Sequence, residues 1–154
     1  PYEEGMFDVV VADHVLFYCE NIPQVLAECR RVLKNGGRFL CSTYGKQHMR
    51  EITDLVQQFH KEIVLSAEVL YERFGLENGE NLLAPYFPEI QMRRYEDAIE
   101  IAEAEPLISY ILSCHGNQNQ LLLNQYKEFR EFVSARVADG FHITKEAGIF
   151  LCRK

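Results

Sequence analysis

Hydrophobic residues follow two patterns along the chain, an unbroken run near the N-terminus and stretches spaced by three and four after it. The run FDVVVA, residues 7–12, lacks polar alternation and is typical of a parallel strand buried on both faces. Asn21 and Pro23 mark a helix start, and one helical face carries the next apolar positions, Ile22, Val25, Leu26, Cys29, Val32 and Leu33. We predict that Asn35-Gly36-Gly37 ends this helix before a strand over residues 38–43, which gives a right-handed parallel crossover.

The rest of the pattern predicts helices around two further strands. Pro and Gly residues separate these elements, and the last of them returns to β-branched and aromatic residues. In chain order they are an amphipathic helix from Met49 to Ile63, short helical pieces over residues 66–87, a strand over 89–97, a helix starting near Pro106, a longer helix from Leu122 to Val137 ended by Asp139-Gly140, and a final strand over 142–152 bent at Gly148.

Composition narrows the class of protein. With 154 residues, 47% hydrophobic and 25% charged, the chain is expected to form one globular domain. The net charge of -7 argues against nucleic acid or an anionic membrane surface as a partner, and no apolar run is long enough to span a bilayer. Five scattered cysteines and five scattered histidines, without CxxC or HxxxH spacing, favour a reducing, cytoplasmic compartment and no metal site.

Two blocks carry a resemblance to a known family. FDVVVADHVLFY, residues 7–18, followed by ECRRVLKNGGRFLCST, residues 28–43, resembles the fourth strand, next helix and fifth strand of class I S-adenosylmethionine-dependent methyltransferases of the small-molecule branch. Later segments, GENLLAPYF, MRRYED and EAEPLISYILS, are similar to the same branch. The resemblance implies an α/β, Rossmann-like class I methyltransferase sheet.

The sequence also departs from that family. The glycine-rich loop after the family's first strand and the acidic residue closing its second strand have no counterpart, and no GxGxG occurs. We therefore expect residues 1–154 to be the C-terminal portion of a single methyltransferase domain, truncated to strands 4, 5, 6 and 7 with flanking helices. The strand over residues 7–12 would then lie at an edge, so we expect a homodimer through it or another partner that covers it.

Candidate site residues follow the carboxyl ends of the two parallel strands, where open α/β sheets bind ligands. The resemblance implies that Ala12, Asp13 and His14 flank the methionine and sulfonium part of S-adenosylmethionine; a plain polar turn is the alternative. Tyr18, Tyr44 and Tyr110 are the candidates for the acceptor side, with packing as the alternative role. His14, Tyr18 and His115 are the candidate general bases, needed only if the acceptor carries a proton.

The function that the resemblance implies is methyl transfer to a small-molecule acceptor by in-line displacement at the sulfonium. Because the cofactor's glycine loop is missing, we expect this chain alone to be inactive and to bind the cofactor weakly or not at all. One rival is the C-terminal half of a nicotinamide-dependent oxidoreductase, which would need GxGxxG upstream. The other is an interaction module without catalysis. The accepting atom, O, N or C, stays open.

Overall fold

The computed structural model describes residues 2–66 and 68–154, so Ala67, inside the predicted helical segment 66–87, lies outside the described residues. The four strands are β1 (Phe7–Asp13), β2 (Leu33–Tyr44), β3 (Glu89–Ile101) and β4 (Phe141–Arg153). The helices are α1 (Ile22–Val32), α2 (Arg50–Phe59), α3 (Leu70–Arg73), α4 (Gly79–Leu83), α5 (Ala104–Ser113), α6 (Gln118–Leu122) and α7 (Tyr126–Val137), and a 3₁₀ turn covers Leu16–Tyr18.

The described strands form one mixed sheet in the order β1-β2-β4-β3. β1 runs parallel to β2, with Val9 opposite Arg38 and Asp13 opposite Ser42, whereas β4 runs antiparallel to β2. This parallel pair, joined through α1, confirms the predicted strand–helix–strand unit. One mixed sheet with helices along the chain also agrees with the α/β, Rossmann-like arrangement expected from the sequence.

The first helix begins where the sequence predicted and ends earlier. The Asn21 side chain accepts the backbone N–H of Gln24 at 3.1 Å, which satisfies one of the unpaired donors of the first turn. The prediction that Asn35-Gly36-Gly37 ends the helix is wrong: Leu33 is already extended and pairs with Phe7. The glycines instead form an irregular part of β2, where Gly36 has a left-handed φ of 76°.

Three further predictions needed correction. The single helix predicted from Leu122 to Val137 is two helices, because Gln125, with φ of −128°, breaks the helical backbone before α7. The strand predicted over residues 89–97 continues to Ile101. β1 is not buried on both faces: Val9 and Val11 are 48% and 64% exposed, since β1 ends the strand order and one face of the sheet is open beside it.

The chain divides into two compact units, each with its own apolar core. The first unit comprises residues 1–48, 70–96 and 146–154, and the second comprises 49–69 and 97–145. In the first unit, Phe39 and Cys41 of β2 and Phe150 of β4 pack with Leu26 of α1. In the second, the core is built by α2, α5, α6 and α7 with Ile143. None of the helices in the described part of the chain is both long and apolar enough to cross a bilayer.

Candidate functional site

The carboxyl ends of β1 and β2 lie side by side in the first unit. Their register stays regular from Val9 opposite Arg38 to Asp13 opposite Ser42, so the two strands end at the same level. In open α/β sheets this edge is where ligands bind. The last residues of both strands are therefore the leading candidates for ligand binding or catalysis.

The side chain of Ser42 connects the two strand ends. Its hydroxyl donates to the carboxylate of Asp13, and its oxygen accepts the backbone N–H of His14 at 3.0 Å. His14 has a left-handed φ of 49°, a conformation uncommon in residues other than glycine. The serine thus holds a sharp turn directly after β1, with Asp13 and His14 exposed beyond it.

Aromatic rings surround this turn. The Tyr44 ring stacks on that of His14, with centroids 6.4 Å apart and planes 17° apart, and meets the buried Phe17 edge-on at 5.4 Å. Tyr18 packs against Phe17 at 4.7 Å and is 66% exposed. These rings form an apolar wall beside the polar turn, with the Tyr18 ring open to solvent. Ala12, Asp13, His14, Ser42 and Tyr44, together with Phe17 and Tyr18, are called the strand-end cluster below.

The strand-end cluster contains most of the residues that the sequence singled out. Ala12 is buried, whereas Asp13 and His14 are exposed and Tyr44 is half-buried. His48 lies in the turn before α2, half-buried and with its ring 5.1 Å from the Tyr44 ring. The functional roles assigned to the cluster stay predictions.

Tyr110 and His115 belong to the second unit. Tyr110 lies on α5, is 44% exposed, and its hydroxyl donates to the sulfur of Met49 at 3.7 Å. Burial raises the pKa of Tyr110, and the neighbouring Cys114 adds to the shift, so its hydroxyl is a proton donor rather than a base near neutral pH. His115 is exposed and follows α5. Their roles as acceptor contact and base also stay predictions.

Two carboxylates, those of Glu146 and Glu77, hold the loop after β2, and neither was among the candidate site residues. Glu146 accepts the backbone N–H of Gln47 at 2.9 Å and pairs with Arg94 at 2.5 Å, and its side chain is 13% exposed. Glu77 accepts the backbone N–H of Lys46 at 3.0 Å. Glu146 lies 99 residues from Gln47, so no local sequence pattern indicated this contact. The structure shows that the glycine at position 45 leaves room for the Glu146 carboxylate.

The cysteines behave as apolar core residues. Burial raises the pKa of Cys152 to about 12, and it raises the pKa of Cys41 and Cys29 as well. Near neutral pH only a small fraction of such a cysteine is ionised to the thiolate, so it is a poor nucleophile. Burial also raises the pKa of Cys114, whose thiol donates to the Tyr110 carbonyl at 3.4 Å. Thiol catalysis therefore gains no support at these four positions.

The strand-end cluster provides groups for only part of a cofactor such as S-adenosylmethionine. Its exposed polar groups, Asp13 and the backbone around His14, suit a small zwitterionic group such as the amino acid end of that molecule. The glycine loop and ribose-binding acidic residue for the nucleoside end have no counterpart in the sequence. No group of three or more His, Cys, Asp or Glu side chains within residues 2–66 and 68–154 is placed to hold a metal ion.

Comparison with known proteins gives sequence matches over the N-terminal part of the chain. Residues 1–41 match the family model of the methyltransferase domain. A malonyl-[acyl-carrier protein] O-methyltransferase of Nitrosospira multiformis is 35% identical over 52 residues, 34% of this chain and 17% of that protein. A mitochondrial 2-methoxy-6-polyprenyl-1,4-benzoquinol methylase of Dictyostelium discoideum is 41% identical over 46 residues, 30% of this chain and 15% of that protein. The aligned stretches are thus small parts of both relatives.

The fold comparison extends over the whole chain. All of it superposes on 72% of a protein from Bacillus halodurans described as a candidate methyltransferase, with a TM-score of 0.55 and 13% identity. The resemblance found in the sequence is therefore confirmed: the chain has the fold of class I S-adenosylmethionine-dependent methyltransferases, and its first 41 residues match the methyltransferase-domain family.

Proposed function

We propose that this chain forms the C-terminal part of an S-adenosylmethionine-dependent methyltransferase that acts on a small-molecule acceptor. The observation that carries the proposal is the pairing of Asp13 with Ser42 at the carboxyl ends of two parallel strands. This pairing lies at the edge where such sheets bind ligands, with Asp13 inside the stretch that matches the methyltransferase-domain family and Ser42 directly after it.

In this proposal Ala12, Asp13 and His14 flank the methionine part of the cofactor. When bound, S-adenosylmethionine supplies a methyl group on a sulfonium, which is already an excellent leaving group. The protein then has to hold the acceptor in line and exclude water. Ser42 contributes by fixing the turn at His14, so that the backbone groups after β1 keep one orientation.

The acceptor side is assigned to aromatic groups. Tyr18 and Tyr44 offer ring faces and hydroxyls beside the polar turn, whereas Tyr110, in the second unit, is proposed from the family resemblance alone. An acceptor that carries a proton at the reaction pH needs a base, for which His14, Tyr18 and His115 remain the candidates. A carboxylate acceptor needs none. His14 is favoured among the three, because its ring packs against Tyr44 at the strand end.

The proposal includes the inactivity of this chain by itself. The strand-end cluster offers contacts to the amino acid end of the cofactor, while the glycine loop for its nucleoside end is absent from the sequence. Losing most of the contacts to a ligand removes most of its binding free energy, since each tenfold in affinity corresponds to about 1.4 kcal/mol. We expect cofactor binding no tighter than roughly millimolar.

Amide NMR of the 154-residue chain tests these statements together. Titration with S-adenosylmethionine should give weak amide shifts at residues 12–14 and 42–44. A separate titration with NAD should give none. Asp13→Asn should reduce these shifts, whereas Asp8→Asn, a matched change of an exposed aspartate at the other end of β1, should not. Methyl transfer should be undetectable.

Each other outcome overturns a defined part of the proposal. Micromolar binding of S-adenosylmethionine, measured by calorimetry on the same sample, would disprove the expected inactivity. Shifts caused by NAD in place of S-adenosylmethionine would favour the oxidoreductase rival. If S-adenosylmethionine added up to its solubility limit caused no shifts at residues 12–14, the strand-end cluster would not be part of the cofactor site.

A further inference from the structure

The outer edge of β3 lies at the opposite end of the sheet from β1. β3 is the last strand in the order β1-β2-β4-β3, so in the described part of the chain no strand lies beyond it. The proposed function makes this chain part of a domain whose missing strands lie beside β1, and the inference rests on that function for this placement alone. The outer edge of β3 is then an edge of the complete sheet as well.

Most of β3 is exposed on both faces. All eight residues from Arg93 to Glu100 are exposed, whereas a strand with one face on the core alternates between buried and exposed positions. Tyr95, in the middle of the strand, is 65% exposed. An edge strand presents backbone N–H and C=O groups with which a further strand can pair. β3 is therefore open to such pairing along its edge, and burial of Tyr95 would favour it.

The charges in the middle of β3 change sign at Tyr95. Arg93 and Arg94 precede the tyrosine, and Glu96 and Asp97 follow it. In the part of the chain that the structure describes, no ion pair engages Arg93, Glu96 or Asp97. Charged side chains normally keep an edge strand from pairing with another chain. Here they can do the opposite, because a second copy that runs antiparallel presents its charges in the reverse order.

We propose that two copies of this chain pair through β3 in antiparallel orientation, with Tyr95 of each copy at the two-fold axis. Arg94 of one copy then lies opposite Glu96 of the other, and Arg93 lies opposite Asp97. The symmetry repeats both ion pairs on the other side of the axis. Opposite charges placed directly across an antiparallel pair stabilise it, and so do two aromatic rings.

The residue pattern of β3 selects this register over its neighbours. Tyr95 is the central residue of Glu89–Ile101, so this register pairs the whole strand. Alternate residues of an edge strand point their backbone groups outward, so the second copy can move only in steps of two residues. One such step sets Arg94 opposite itself, and a step the other way sets Glu96 opposite itself. Like charges directly opposite each other destabilise the pairing, which disfavours both alternatives.

The two kinds of ion pair lie on opposite faces of the sheet. Successive side chains of a strand alternate between faces, so Arg93 and Asp97 share a face with Tyr95, whereas Arg94 and Glu96 share the other. Arg94 already pairs with Glu146 at 2.5 Å. Its guanidinium has further N–H donors, with which it can also hold Glu96 of the second copy. Each face of the dimer therefore has its own complementary charges.

Sedimentation equilibrium tests the proposal with charge reversals. The 154-residue chain should shift from monomer to dimer as its concentration rises. Arg93→Glu and Asp97→Arg should each raise the dissociation constant about tenfold or more, because each sets like charges opposite one another on both sides of the axis. Lys127→Glu and Glu128→Arg change the net charge by the same amounts at exposed positions of α7, and they should change the dissociation constant little.

A mixture of the two weakened variants tests the register itself. A copy with Arg93→Glu carries carboxylates at positions 93 and 97, whereas a copy with Asp97→Arg carries guanidinium groups at both. Opposite charges therefore meet on both sides of the axis in a mixed pair. An equimolar mixture should dimerise about as well as the wild-type chain, although neither variant does so alone. This recovery cannot come from misfolded variants, and circular dichroism should confirm that each is folded.

Hydrogen exchange separates the β3 edge from the β1 edge. Outward-facing amides of residues 93–97 should exchange more slowly at high protein concentration than at low, and Val11→Lys, a charge placed on β1, should leave the dimer intact. A chain that stays monomeric, a dimer that survives both charge reversals, or a mixture that does not recover would overturn the proposal. So would loss of the dimer in Val11→Lys, since the interface would then lie at residues 7–12. None of these measurements uses S-adenosylmethionine, so failure of the proposed function is seen separately, in the cofactor titration.

Discussion

The backbone N–H of His14 donates to the hydroxyl oxygen of Ser42 at 3.0 Å, which ties the turn after β1 to the end of β2. The same hydroxyl donates to Asp13. A residue in the left-handed region needs such support, because the conformation costs about 1 kcal/mol or more outside glycine. The candidate site is thus fixed by one serine on the neighbouring strand.

Replacing Ser42 by alanine should loosen this turn. We expect Ser42→Ala to lower the free energy of unfolding by about 1 kcal/mol, since both bonds are at least partly solvated and water replaces part of them. Amide exchange at His14 should accelerate. The control is Ser134→Ala, at an exposed position of α7, where alanine's helix propensity should leave stability equal or slightly higher. Unchanged exchange at His14 would mean that Ser42 does not hold the turn.

Gly45 should resist replacement because Glu146 occupies the space beside it. A Cβ at this position would overlap Oε2 of Glu146, the far end of a flexible side chain that can move aside. We expect Gly45→Ala to lower the free energy of unfolding by about 1 kcal/mol, because the movement breaks the hydrogen bond from the Gln47 backbone to that oxygen. Denaturant unfolding measures it.

A double-mutant cycle identifies the cause. Glu146→Ala removes the clashing carboxylate, so the pair Gly45→Ala with Glu146→Ala should lose less stability than the sum of the single changes. Gly140→Ala serves as the control: its Cβ would meet nothing within 4 Å, and its cost would come from a φ of 92° alone. Its cost should add to that of Glu146→Ala. Simple additivity at Gly45 would contradict the clash.

The elements that local sequence chemistry specifies were predicted correctly. The apolar run 7–12 predicted β1, and Asn21 with Pro23 predicted the start of α1, because a strand core and an N-cap are encoded within a few residues. The two strands end at Asp13 and Tyr44, each one residue beyond the predicted end. The positions of most candidate site residues at one sheet edge could therefore be predicted.

Features that depend on distant partners could not be predicted. α1 ends at Val32 because Leu33 pairs with Phe7, although helical spacing and the glycines suggested a later end. Ser42 lies within the predicted strand over residues 38–43, but its bond to Asp13 depends on the parallel register. Glu146 holds a loop 99 residues away, and no local pattern encodes that contact. Strand register or a long-range tertiary contact determines the end of α1, the Ser42–Asp13 bond and the position of Glu146.

Glu51 should make the second unit sensitive to acid. Its carboxylate accepts the backbone N–H of Thr144 at 3.0 Å and the Thr144 hydroxyl at 2.5 Å. Burial raises the pKa of Glu51, but these bonds lower it more, so the net value lies below the ordinary 4.5. A carboxyl with a lowered folded-state pKa stabilises the fold above 4.5, and this stabilisation disappears as pH falls through the folded value.

Glu51→Gln should therefore reduce stability at neutral pH by about 1 kcal/mol and flatten the loss of stability below pH 4.5. Urea unfolding from pH 7 down to 3 measures both effects. Glu128→Gln is the matched control, because Glu128 is an exposed glutamate in the first turn of α7. Equal pH profiles for the two variants would show that the bonds to Thr144 contribute nothing.

His142 should titrate above its ordinary pKa because of Glu100. Its ring nitrogen Nδ1 lies 2.5 Å from the Glu100 carboxylate, which joins β4 to β3. This hydrogen bond raises the pKa of His142 above 6.5, with the charge of Glu100 as a further cause. A histidine with a raised folded-state pKa stabilises the fold fully below 6.5, and the stabilisation is lost as pH rises through the folded value.

NMR titration of the His142 ring protons tests this pair directly. Glu100→Gln should return the pKa of His142 toward 6.5, whereas Glu96→Gln, at an exposed position of the same strand, should change it little. High salt should lower the pKa of His142 in the wild-type chain, because both side chains are exposed and their attraction is screened. If Glu100→Gln left the titration unchanged, Glu100 would not be the cause of the raised pKa.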